Sequence, residues 1–357
     1  EIGVRLVGSE MCIRDSFSLE ETNQYQLETI PNLLPFVPKN DDELKEIIEI
    51  TSISLKHRLD YVGTSKVIIG ISGGLDSTLV LLFAYYTYQK YHLDPKNIIA
   101  VTMPGLGTGN KSKNIAIHLM QKLGVTMREV SIKKEAVNHL KLLNHNMIEK
   151  DVTYENVQAR MRTMYLMNLA NLEKGIVLGT GDMSEIALGW STFNGDHMSM
   201  YGVNCSIPKT LVRYLVRYYA DTCEDKQLSD TLYDVLDTPV SPELLPPEDG
   251  KISQKTEDLV GPYELHDFFL YYMLRQGFSP AKIYRLAKIA FAGTYEDAFI
   301  LKWLKTFCRR FFAQQFKRSC LPDGPKVGSV AVSPRGDLRM PSDACATLWM
   351  EELNTLS

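Results

Sequence analysis

Between Asp41 and Tyr61 the apolar residues Leu44, Ile47, Ile48, Ile50, Ile53, Leu55 and Leu59 recur mostly three or four apart. That spacing predicts an amphipathic helix, with Asn40 or Asp41 as its N-cap. Beyond it, short β-branched runs alternate with longer helical stretches. The pattern predicts strand Val67–Ile71, helix Ser77–Tyr91, strand Ile98–Thr102, helix Lys111–Leu123, strand Met127–Ile132, helix Tyr154–Leu172 and strand Ile176–Gly179. Strands separated by helices imply βαβ units with right-handed crossovers, hence an α/β fold with a doubly wound parallel sheet. After Pro208 the pattern becomes mainly helical, with additional C-terminal helices expected at Leu211–Thr222, Glu264–Arg275, Pro280–Ala290 and Glu296–Phe312. Pro239–Pro247 and Leu321–Ser342 read as ordered loops or lids. The helix at 154–172 is expected to bury Val157, Met161, Met164 and Leu172.

The first strand runs into Gly70-Ile71-Ser72-Gly73-Gly74-Leu75-Asp76-Ser77 and then into a helix. Paired glycines let successive backbone N–H groups converge on anionic oxygens at the positive end of a helix, and Ser72, Ser77 and Thr78 add hydroxyl donors. A Walker A loop is excluded, because Asp76 stands where that motif needs lysine. An acidic residue beside phosphates fits a divalent cation. The Ser-Gly-Gly-x-Asp-Ser loop resembles the pyrophosphate-binding loop of the ATP pyrophosphatases, whose adenine-nucleotide α-hydrolase-like (PP-loop) fold matches the predicted order of elements.

Composition narrows the class. The chain has 357 residues, 45% hydrophobic and 23% charged, ordinary for a globular protein. Lys+Arg 39 against Asp+Glu 43 gives a net charge of −4, which offers no global basic field for nucleic acid. No apolar run reaches the about 18 residues of a membrane span. Six cysteines without CxxC spacing argue against a zinc site or disulfide framework and for a cytoplasmic setting. Residues 1–16 have neither period and read as a non-native leader; 17–62 read as a linker and first helix.

Other candidate positions follow. Asn156 and Arg160 share a helix face at i,i+4. Thr180 and Glu185 lie in Gly179-Thr180-Gly181-Asp182-Met183-Ser184-Glu185, at the same sheet edge as the glycine loop, so that Asp76 and Glu185 would share a magnesium ion through phosphate oxygens. Asp182 and Ser184 read as caps of the next helix. Trp190-Ser191-Thr192-Phe193 offers aromatic faces to a flat ring or to the core. Lys209 opens a helix, as a phosphate ligand or as a surface lysine. The cations of Gln315–Ser319 read as a solvated loop. His197 and His266 read as structural, and Cys205 has no base at readable spacing.

Taken in order, GISGGLDS, ENVQAR, GTGDMSEIALGWSTF, PKT, ISQKTEDLVGPYELHDF, QQFKRSCLPDGPKVGS and SPRGD resemble the synthetase domain of glutamine-dependent NAD synthetases, from about Phe17 to Glu352. The linker tetrapeptide Pro35-Phe36-Val37-Pro38 is similar as well. The resemblance implies a synthetase domain over 63–357 and a glutaminase domain missing from this chain. It implies ATP and Mg²⁺ as substrate and cofactor, deamido-NAD and ammonia as partners, and a homo-oligomer. ATP would lie on Gly70, Ile71, Ser72, Gly73, Gly74, Leu75, Asp76, Ser77, Thr180 and Lys209. Deamido-NAD would lie on Asn156, Arg160, Glu185, Trp190, Ser191, Thr192, Phe193 and Lys317. Asp76 and Lys209 would be catalytic, and Asp76 and Glu185 would bind metal, which leaves Glu185 with two roles. Where the family's loop after the second strand is expected to carry arginine, this chain has Lys111. Another adenylating enzyme with the same loop, or a non-catalytic nucleotide-binding subunit, are the alternatives.

Overall fold

The computed structural model describes residues 27–238 and 256–356. The chain divides into two compact units, Glu1–Pro31 and Asn32–Ser357, and the architecture below is that of the second. The leader expected over 1–16 and the Pro239–Pro247 stretch lie outside the described residues.

Helix α1 (Asp41–Val62) starts where Asn40 accepts the Glu43 N–H and ends at Gly63, whose φ of +69° places it in the left-handed region. There follow β1 (Val67–Gly70), α2 (Leu75–Lys90), β2 (Ile98–Thr102), α3 (Asn110–Lys122), β3 (Thr126–Glu129), α4 (Lys133–Leu142), α5 (Val152–Glu173), β4 (Ile176–Gly179), α6 (Met183–Leu188) and β5 (Tyr201–Gly202). Helices then continue as α7 (Lys209–Thr222), α8 (Lys226–Leu236), α9 (Thr256–Val260), α10 (Tyr263–Leu274), α11 (Pro280–Ala290), α12 (Asp297–Ala313), α13 (Gln315–Arg318) and α14 (Thr347–Asn354). No helix among the described residues is long and apolar enough to cross a membrane.

The sheet order is β3-β2-β1-β4-β5, and every ladder is parallel. Strand residues alternate between two cores, as period-2 geometry requires. Val67, Ile69, Ile98, Ala100, Ile176 and Leu178 join the core shared with α1, α2, α3, α7 and α8. Ile68, Ile99, Val101 and Val177 pack with Leu169 and Ala170 of α5 on the other face. A separate core, rich in aromatics such as Phe268, Phe269, Trp303 and Phe307, joins α10, α11 and α12 to Met183 and Leu188 of α6. Strand order reverses between β1 and β4, so their carboxyl ends border a crevice.

Three expectations are corrected. β3 ends at Glu129 rather than Ile132, although Val130 and Ile132 still donate to the Thr102 and Pro104 carbonyls. Met164 and Leu172 are 53% and 76% exposed, because the apolar residues of α5 are spread around the helix rather than gathered in one stripe, and only packing selects the face that turns inward. The cations of 315–319 lie on helix α13, and Arg318 is fully buried. The pattern did not predict α4, α8, α9, α14 or the two-residue β5.

Candidate active site at the carboxyl ends of β1 and β4

β1 is followed by a turn that its own serines hold open. Ser77 Oγ accepts the Ser72 N–H (3.2 Å) and donates to the Gly74 carbonyl (3.2 Å), while Ser72 Oγ accepts the Gly74 N–H (3.2 Å). Gly73 has φ +89°, and a Cβ there would lie 2.2 Å from the Ser112 carbonyl oxygen, so only glycine fits. α2 begins after Gly74 with no side-chain cap. Its first amides remain available to an anion, and the helix dipole favours one.

β4 leads into a second turn, whose helix is capped by a side chain. Asp182 caps α6 by accepting the Glu185 N–H at 2.9 Å, as expected. Its other oxygen, Oδ2, is 2.7 Å from Lys209 Nζ, an ion pair without hydrogen-bond geometry. Lys209 also donates to Asp76 Oδ2 (2.7 Å) and Glu185 Oε1 (2.9 Å). Its side chain is 4% exposed, which removes the surface-lysine alternative. Ser184 does not cap α6: its Oγ donates to Asp267 and accepts the Lys209 N–H at 2.8 Å.

Three carboxylates thus surround one ammonium. Burial alone would push Lys209 down, but the three acids outweigh it and hold the lysine well above its ordinary range. Burial drives Asp182 well above the usual carboxylate range and Glu185 up to about 7, with Lys209 opposing both. Asp76, Asp182 and Glu185 each offer an oxygen within 4.8 Å of the others, and Asp76 Oδ1 is buried with no hydrogen-bond partner. An orphaned carboxylate oxygen in an all-oxygen donor set fits Mg²⁺. Asp182 is the member of this set that the sequence marks only as a helix cap.

A cavity of about 690 Å³ extends from the Gly70–Ser77 loop past Thr180 and Glu185 to Asn156, Arg160, Trp190–Phe193 and Lys317. Every residue expected to bind a ligand lines it except Lys209, which lies behind Asp76 and Glu185. Its far wall is a braced turn. Asn156 Oδ1 accepts the Thr192 hydroxyl (2.7 Å), Arg160 Nε donates to the Phe193 carbonyl (3.2 Å), and Asp196 accepts the Thr192 N–H (2.8 Å). Phe193 stacks on His197 with ring centroids 5.2 Å apart. Lys317 lines the cavity, with its ammonium donating to the carbonyls of Gly189 (2.7 Å) and Ser191 (2.6 Å).

Two arginines complete this wall: Arg310, which no motif marks, and Arg318, whose segment carries the resemblance but reads locally as solvated. Arg310 donates to the Leu188 carbonyl (3.0 Å) and lies 5.2 Å from the Trp190 ring centre. Arg318 donates to Ala187 O (2.6 Å), Ile186 O (3.4 Å), Phe311 O and Gln315 Oε1 (2.9 Å). Cations thereby meet the carbonyl end of α6, where the helix dipole is negative. Lys111 is exposed on α3 and does not line the cavity. It is Arg162 of α5 that reaches the loop after β2, donating to the Met103 carbonyl at 3.2 Å.

The model of the NAD synthase family matches residues 47–289. The glutamine-dependent NAD(+) synthetase of Mycobacterium leprae (strain TN) is 43% identical over 347 residues, 89% of this chain and 51% of that protein. This chain therefore spans about half the length of such relatives. The crystal structure of a glutamine-dependent NAD(+) synthetase from Cytophaga hutchinsonii superposes with a TM-score of 0.72 at 18% identity, covering 88% of this chain and 56% of that one. A structure of the glutamine-dependent NAD+ synthetase from Acinetobacter baumannii in complex with ADP gives 0.51 at 22% identity, covering 82% and 51%. At these identities the two structures establish the parallel-sheet fold, and the family rests on the sequence matches: the chain belongs to the NAD synthase family.

Proposed function

We propose that this chain amidates deamido-NAD to NAD, consuming ATP and ammonia and releasing AMP and pyrophosphate. The observation that carries the reading is one cavity joining an uncapped glycine loop to a braced aromatic turn, with Asp76 and Glu185 at the junction and Asp182 and Lys209 behind them. The phosphates of ATP lie on the amides and hydroxyls of Ser72–Ser77, where α2 begins without a side-chain cap. Deamido-NAD lies against Trp190–Phe193, with Asn156 and Arg160 fixing that turn and Lys317 beside it.

Attack by the nicotinate carboxylate on the α-phosphorus expels pyrophosphate and leaves an acyl adenylate. Ammonia then adds to the acyl carbon, AMP departs with the bonding pair, and one proton is released. The loop amides and the first turn of α2 stabilise charge growing on pyrophosphate, because they are oriented before the reaction begins. Lys209 holds Asp76, Asp182 and Glu185 together from behind the cavity wall. Those three carboxylates would hold Mg²⁺, which when bound neutralises phosphate charge. No protein nucleophile is needed, and positioning two anionic substrates in line supplies much of the rate.

In the whole protein a glutaminase part would release the ammonia. A second copy of the chain would cover helices flanking the sheet, where α5 leaves Met164 and Leu172 exposed. The unpaired cysteines suit a cytoplasmic setting. The purified chain is assayed with Mg-ATP, ammonium and either deamido-NAD, xanthosine monophosphate or no acceptor. Equal amounts of NAD, AMP and pyrophosphate with deamido-NAD alone are expected. AMP formed only with another acceptor, or no AMP at all, would overturn the reading.

A further inference from the structure

α7 begins at Lys209, and Pro208 before it supplies no side-chain acceptor for the first amides. A buried helix N-terminus must find partners for those N–H groups, and its partial positive charge favours a carboxylate. Here the carboxylate comes from a different helix. Asp267 of α10 is fully buried and accepts from Thr210 through both its N–H (3.0 Å) and its hydroxyl (2.6 Å). The other Asp267 oxygen accepts the Ser184 hydroxyl, and Ser184 Oγ accepts the Lys209 N–H at 2.8 Å. The two leading amides of α7 therefore close on one carboxylate, directly or through one hydroxyl.

The location of that closure gives it a role. Ser184 stands on α6 between Asp182 and Glu185, and Lys209 is the residue whose ammonium those two acids share with Asp76. One carboxylate from the aromatic helical core thus ties the segment bearing two of the acids to the segment bearing their cation. Burial pushes Asp267 up to about 6 even with donors from Ser184 and Thr210, so removing a donor favours its neutral form.

We propose that Asp267 is a positioning residue: by capping α7 from α10 and anchoring Ser184, it sets where Lys209 Nζ stands relative to Asp76, Asp182 and Glu185. For its activity arm the proposal rests on the amidation reading. A carboxylate that only held α10 in place would weaken the fold regardless of which residue stood at 209. One that acts through Lys209 loses its effect once the ammonium is gone.

The test is a double-mutant cycle of Asp267→Asn and Lys209→Ala in the full chain. It is read by kcat/KM for NAD formation and by the urea midpoint without substrates. Asp267→Asn is expected to lower kcat/KM about a hundredfold in the parent chain and less than about threefold in the Lys209→Ala background. Equal losses in both backgrounds, or no loss in folded Asp267→Asn, would overturn the proposal. If Asp267→Asn does not fold, Ser184→Ala takes its place with the same expectations, since it removes only the hydroxyl link to the Lys209 amide. If the parent chain makes no NAD, the amidation reading fails by itself and the midpoints decide: a double-variant shift smaller than the summed single shifts upholds the proposal, and additive shifts sink it.

Discussion

Replacing Arg318 with Met should destabilise the protein although no carboxylate pairs with the guanidinium in its described contacts. Arg318 is fully buried, and three of its acceptors, Ala187 O, Phe311 O and Gln315 Oε1, lie within 3 Å. Hydrogen bonds from a charged donor contribute about 2 kcal/mol each, so truncation removes about 6 kcal/mol. Against this, burial pushes the guanidinium down to about 10, a cost to the charged form of about 3 kcal/mol that Met does not carry. Ile186 O keeps a second donor, the Gly189 N–H at 3.3 Å, so it adds little. The net expectation is a loss of about 3 kcal/mol for Arg318→Met. Arg318→Lys should lose roughly half as much, because an ammonium keeps the charge but cannot span the end of α6 and Phe311 with one planar fork. Urea unfolding at pH 7 and 25 °C, with unchanged slopes, measures both. A Met variant within about 1 kcal/mol of the parent, or a Lys variant no better than Met, would refute this account of a cation satisfying two helix ends.

His266 is fully buried, with Nε2 2.6 Å from the Val260 carbonyl, and burial pushes its pKa down to about 4. The unfolded chain takes up the proton as pH falls below about 6.5 while the folded one resists until about 4, so up to about 3 kcal/mol is lost across that window. The stability difference between His266→Phe and the parent should therefore shift in the variant's favour from pH 7 to pH 5, and a constant difference would count against it. Gly73→Ala should abolish ATP-dependent AMP release, since the methyl group meets the Ser112 carbonyl at 2.2 Å; near-parent kinetics in a crystal-verified variant would contradict the loop geometry. Asp76→Ala should lower AMP-forming turnover by about a hundredfold or more with the far-ultraviolet circular dichroism unchanged, and parental turnover would remove Asp76 from the mechanism.

Much of the framework was legible because its signals are local. Alternating β-branched and helical periods predicted β1, β2 and β4 nearly residue for residue, since strand pleat and helix pitch impose their own spacing on buried side chains. The glycine loop was legible for the same reason: Gly73 adopts a backbone conformation that glycine tolerates far better than other residues, and Asp76 and Ser77 follow it at once. The resemblance then selected cavity residues as far apart as Asn156 and Lys317. Tertiary structure alone decided which polar groups would be buried together. Lys209 reads locally as a helix-opening phosphate ligand or surface lysine, yet acids from two other chain segments enclose it. Asp267 and Arg318 lie in segments that carry the resemblance, yet nothing local marks either as a buried partner, because each satisfies groups of a helix distant in sequence. Met164 and Leu172 show the converse, apolar residues left outside because the sheet could accept only one face of α5. Periodicity reports what a segment can bury, whereas desolvation of a charge depends on which donors and acceptors the assembled fold brings to it.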